Sequence, residues 1–80
     1  MNQKGSEPYQ STNLYECAFL YCRGAKLAGH SRDGAKTVLH FAGENVKDLS
    51  LEFYNGGSAP AKNLFDAYHL LRDYAFAKAR

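Results

Sequence analysis

Six side chains in the middle of the chain could hold an anion between them: Arg23, Lys26, His30, Arg32, Lys36 and His40. Of the charged residues between positions 23 and 36, four are basic and only Asp33 is acidic, a local excess of +3. Such a patch contacts the phosphates of a nucleic acid or another polyanion, and its binding weakens with salt because each neutralised phosphate releases condensed counterion. No aromatic residues are interleaved for base stacking, so the expected binding is weak in sequence preference. The plain alternative is an ordinary solvated strand face.

Other chemistries have thinner material. A catalytic site needs a nucleophile with a base, or paired acids, converging in a pocket. His30 and His40 fall on the same side of a hairpin but on the order of 13 Å apart along it, too far to share a metal ion. His69 lies one helical turn from Asp73 and reads as a surface pair. Cys17 and Cys22 sit in one helix about 140° apart on the wheel, without CxxC spacing, which suits packing in a reducing cytosol rather than a disulfide or zinc site. The expectation is a non-enzyme with no catalytic, cofactor-binding or metal-ligating residue.

The basic residues must be positioned by a hairpin. Asp33-Gly34 between two strand-like runs is a turn signal. A two-residue Asp33-Gly34 loop would set Leu27 opposite His40, mixing apolar and polar on one face. A three-residue loop, Arg32-Asp33-Gly34 with Gly34 left-handed, pairs Leu27 with Leu39 and Ala25 with Phe41 and makes one face apolar throughout. The outer face then pairs Lys26 with His40, Ala28 with Val38 and His30 with Lys36, and carries no acidic residue.

Helices flank the hairpin. The first is expected to start at Asn13, with Glu16 reaching back as in a capping box, and to stop at Gly24. Leu14, Tyr15, Ala18, Tyr21, Cys22 and Ala25 form its inner side, which leaves Leu20 among polar residues. Asn45 is expected to cap a second helix, with Asp48 set against its dipole and Val46, Leu49 and Phe53 inward, that ends at Asn55-Gly56-Gly57. The last opens near Pro60 and presents Ala61, Leu64, Phe65, Tyr68, Leu71 and Ala75 inward. Leu70 falls on its polar side. The fold class is α+β: helix, two-stranded antiparallel hairpin, then two helices, with the helices packed on one face of the hairpin.

At 80 residues the chain is one domain near the lower limit for a self-sufficient core, so self-association would add useful burial. Its net charge of +2 and pI near 8.6 fall short of a strong nucleic-acid signal. The first residues are polar and contain Gly5 and Pro8, so residues 1–11 read as a flexible tail and 12–80 as the domain. No run approaches the length of a membrane span, and the expected location is the cytoplasm.

Asn13-Leu14-Tyr15 before an apolar helix, Gly24-Ala25-Lys26-Leu27, Leu39-His40-Phe41, Phe53-Tyr54-Asn55-Gly56 and Leu71-Arg72 together resemble a family of short bacterial and phage domains of unknown function. The resemblance covers roughly residues 12 to 76. It implies the order of elements and no functional residue.

Two binding classes follow. The first expectation is a small protein-interaction or homodimerisation module, meeting a protein partner or a second copy through Leu20, Ala28, Val38 and Leu70. The alternative is weakly selective nucleic-acid or polyanion binding through the six basic residues.

Overall fold

In the computed structural model, which describes residues 8–78, the chain runs β1 (Tyr9–Ser11), α1 (Leu14–Cys22), β2 (Lys26–Asp33), β3 (Lys36–Ala42), α2 (Val46–Tyr54) and α3 (Ala61–Lys78). The fold is α+β: an antiparallel sheet of order β1-β3-β2 with three helices contributing to one core. That core joins Leu39 and Phe41 of β3 to Cys17 and Leu20 of α1, Val46 and Leu49 of α2 and Leu71 of α3.

The hairpin is expected from the sequence, but its register is not the expected one. Gly34 and Ala35 form a two-residue turn, with Asp33 opposite Lys36. Gly34 has the expected positive φ, +64°, and stands first in the turn, as a type II′ turn requires. With that turn an unbroken ladder would set Leu27 opposite Ala42, on the outer face. A bulge between Leu27 and Gly29 absorbs one residue, so Leu27 pairs with Phe41 and returns to the core face. The slip that the apolar pattern demands is thus made at Ala28 rather than in the loop.

The bulge also exchanges faces beyond it. His30 pairs with Leu39 and Arg32 with Thr37, on the side of the helices, while Ser31 pairs with Val38 and Asp33 with Lys36 on the outer side. The outer face therefore contains an acidic residue, and His30 and Arg32 have left it.

A third strand was read as tail. Tyr9, Gln10 and Ser11 pair with Phe41, His40 and Leu39, so Tyr9 and Ser11 point into the core face and Gln10 outward. Residues 1–7 lie outside the described residues.

Asn13 caps α1 as expected, its Oδ1 accepting from the backbone N–H groups of Tyr15 and Glu16 at 3.0 and 3.3 Å. Gly24, at φ +104°, ends the helix in a conformation that only glycine adopts cheaply. The buried side of α1 is not the expected one. Glu16, Cys17, Ala18, Phe19 and Leu20 are all buried in succession, whereas Tyr15 is 67% exposed. A one-sided stripe describes a helix on a surface. Here α1 is enclosed by β1, α2 and α3, through Ser11, Phe53 and Tyr68 respectively, so no residue in its middle turn is solvated.

On α3 the buried residues are Ala67, Leu71 and Ala75, with Leu64 and Tyr68 half-buried; Ala61 and Phe65, expected inside, are exposed. The Lys62–Asp66 pair one turn apart is present at 2.9 Å.

Candidate interaction surface

The six basic candidates do not converge. Arg23 clamps α1 to α2: its Nη1 is 2.6 Å from Glu52 Oε2 and its guanidinium lies over the Phe19 ring at 5.3 Å. His30 turns toward α3, with Nδ1 3.0 Å from the Tyr74 hydroxyl and the rings edge to face. Arg32 lies on that same side, opposite Thr37, and its Nη2 donates to Gly34 O at 3.3 Å. Only Lys26, Lys36 and His40 share the outer face; Asp33 stands opposite Lys36, and the Ser31 hydroxyl is 2.9 Å from His40 Nε2.

The four interface candidates separate as well. Leu20 is fully buried, because α1 is covered on its expected polar side. Val38 is 9% exposed beside its partner Ser31 on the outer face and offers little surface. Ala28 is exposed at the bulge. Leu70 is exposed, in a shallow hollow of about 300 Å³ with Tyr21, Cys22, Asn63, Asp66 and Ala67.

The strongest polar constellation in the molecule surrounds Glu16, which is only 2% exposed. Its Oε1 accepts from Ser11 Oγ at 2.6 Å and from the Tyr54 hydroxyl at 3.3 Å. Its Oε2 accepts from the Tyr9 hydroxyl at 2.7 Å and from Ser50 Oγ. Tyr9 and Ser50 also lie 2.8 Å from each other. Burial by itself pushes the Glu16 pKa up, but the hydroxyls of Ser11, Ser50, Tyr9 and Tyr54 outweigh it and hold the carboxyl below its ordinary value. Tyr9 moves the other way: burial foremost raises its pKa, and the neighbouring carboxylate adds to this.

A carboxylate has about four acceptor sites, and here four hydroxyls occupy them. The group is ionised, saturated and shielded from solvent. It joins β1, α1 and α2 at one point. Next to that junction α2 places Phe53 in a lining shared with Tyr15.

The junction frames an apolar groove of about 470 Å³, lined by Tyr15 and Ala18 of α1, Phe53 of α2, and Leu64, Phe65, Tyr68 and His69 of α3. The Tyr15 and Tyr68 rings stack at 5.3 Å with only 13° between their planes. Phe65, at 64% exposed, stands at the rim with Tyr15. Because both were assigned to inner stripes, the groove is invisible to helical-wheel reasoning. The composition is rich in aromatics, with six tyrosines and five phenylalanines, of which Tyr15, Tyr21, Tyr54, Phe65 and Phe76 stay exposed.

Among the described residues no group of three or more His, Cys, Asp or Glu side chains is placed to hold a metal ion. No helix among them is long and apolar enough to cross a membrane. No family model matches the chain, and neither a curated protein nor a solved structure does so.

Proposed function

We propose that this chain is a non-enzymatic protein-interaction module whose groove between α1, α2 and α3 receives the apolar face of a partner helix. The observation that carries the reading is the exposed aromatic rim, Tyr15 stacked on Tyr68 with Phe65 alongside. Exposed apolar patches on small proteins mark contact surfaces, and tyrosine and other aromatics dominate the binding energy of such contacts. A trough between helices suits an amphipathic helix, which offers anchors at i, i+3, i+4 and i+7. Polar groups that would orient a small molecule are nearly absent from the lining, where His69 is the only ionisable side chain besides the two tyrosines.

Nucleic-acid binding has less support. It rests on Lys26, Lys36 and His40 alone, with Asp33 among them.

The test is a heteronuclear NMR titration with a designed amphipathic helical peptide bearing leucines and phenylalanines at that spacing. The expected result is a set of shifts confined to groove residues that disappears in Phe65→Asp while the fold persists. Absence of shifts at about 1 mM peptide, or shifts that survive Phe65→Asp, would overturn the reading.

A further inference from the structure

The sheet order leaves β2 at an edge, with β3 on one side and, among the described residues, no strand on the other. Six of its eight residues are exposed. A strand of this length with an open side is a template for another strand unless brevity, proline, charge or a bulge blunts it; β2 carries Lys26 and the bulge at Ala28 in its first half and runs regularly from His30 to Asp33. β2 has no proline and is the longest strand in the sheet.

The main-chain direction along this edge follows from the turn. A two-residue turn makes Asp33 and Lys36 a hydrogen-bonded pair, and antiparallel ladders alternate, so the N–H and C=O groups of His30 point away from β3. They face the open side.

The side chains along the edge are self-complementary. On the outer face lie Lys26, Gly29, Ser31 and Asp33; on the helix face lie Leu27, His30 and Arg32; Ala28 is the bulged residue. Directly opposed residues of an antiparallel pair must share a face. With a two-fold axis at His30, His30 meets the partner's His30, Ser31 meets the partner's Gly29, Arg32 meets the partner's Leu27, and Asp33 meets the partner's Lys26. The face rule holds at every step once each Ala28 is passed over in the new ladder, as it is against β3. A shift by one residue breaks the rule. A shift by two sets His30 against Arg32 and separates Lys26 from Asp33.

We propose that a second copy of this chain is the occupant of the β2 edge, paired antiparallel about His30 to give a continuous six-stranded sheet with both helix layers on one side. Two symmetric Lys26–Asp33 pairs close its ends. Neither residue forms an ion pair among the described residues, and within one copy they lie roughly 20 Å apart along the strand, so they meet only across the interface. This surface is separate from the groove.

The test is sedimentation equilibrium of the 80-residue chain, with thermal melts to show that each variant is folded. The expected result is a reversible dimer. Lys26→Asp and Asp33→Lys each convert two opposite-charge pairs into two like-charge pairs and weaken it about tenfold or more; the double variant restores it. A measurement without variants runs beside this: amide exchange at His30 slows as chain concentration rises. A monomer at about 1 mM, charge reversals without effect, a double variant no better than the singles, or exchange independent of concentration would each overturn the proposal. Phe65→Asp, which tests the groove, leaves this dimer intact; a dimer abolished by it lies elsewhere.

Discussion

Ser11 and Glu16 stand five residues apart on either side of the α1 N-cap, and the Ser11 hydroxyl donates to Glu16 Oε1 at 2.6 Å. The contact turns a would-be capping carboxylate inward. Instead of reaching back to its own helix terminus, Glu16 collects hydroxyls from β1 and α2, and three elements depend on one charge.

Glu16→Ala should therefore destabilise the fold by about 3 kcal/mol, because it removes the acceptor and strands buried hydroxyls without a partner. Glu16→Gln keeps the shape but replaces an acceptor with a donor that faces other donors, and is expected to cost about 1 to 2 kcal/mol. Urea unfolding measures both. A Glu16→Ala variant as stable as the parent would show that the junction holds nothing together.

The same group sets a pH dependence. The folded-state pKa of Glu16 lies below the ordinary 4.5, so its contribution is fully present above that value and is lost as pH falls through the lower folded-state value. Tyr9 is raised above its ordinary 10.0, so its contribution is present below pH 10 and disappears as pH climbs past the folded-state value. Stability followed from neutral pH into acid should fall less steeply in Glu16→Gln than in the parent. Parallel curves would contradict the assignment.

Leu20 and Leu70 should behave as opposites. Leu20→Ala empties a site with no solvent exposure and is expected to cost 2 to 5 kcal/mol, within about the range of such core truncations. Leu70→Glu changes a half-exposed side chain and should stay within about 0.5 kcal/mol. Comparable losses in the two would mean that α1 is not enclosed.

Gly34→Val isolates backbone strain. Open space surrounds the position a Cβ would take, so no clash contributes, and the left-handed φ of +64° alone should cost about 1 kcal/mol or more. Unchanged melting would place the turn elsewhere.

The two thiols should differ in reactivity. Burial foremost pushes the Cys17 pKa up to about 11, and the nearby Glu16 charge adds to it, while Cys22 is half-buried beside a surface hollow. A disulfide reagent should label Cys22 in the folded protein and Cys17 only after denaturant is added. Equal rates would count against a buried Cys17.

Much of the architecture was legible because it rests on local chemistry. Asn13 acts through a side chain that caps its own helix, and Gly24 and Gly34 through their own backbone conformation; Asn45, equally expected to cap, makes no side-chain cap bond. What escaped depends on partners distant in the chain. The three-residue β1 reads as tail because its alternation, Tyr9-Gln10-Ser11, has meaning only beside Phe41 and Leu39. Leu20 reads as exposed because a helical wheel assumes one covered side. The outer face departs from expectation at Ala28, since a bulge is set by the partner strand and leaves no mark that the turn could not equally explain. With it fell the six-residue basic face, and the groove stayed hidden behind the misassigned Tyr15 and Phe65.

The placement of β1 has a consequence for how the chain reaches this structure. The β2–β3 hairpin closes through a two-residue turn and forms within microseconds. β1 has no such shortcut: its Tyr9 hydroxyl must find Ser50, 41 residues further on, after the intervening elements have assembled. Of the described strands, β1, the first along the chain, is thus expected to be the last to be fully fixed. A nascent chain holds Glu16 unsated until α2 has emerged, so the ordered state becomes reachable only when more than half of the chain is present.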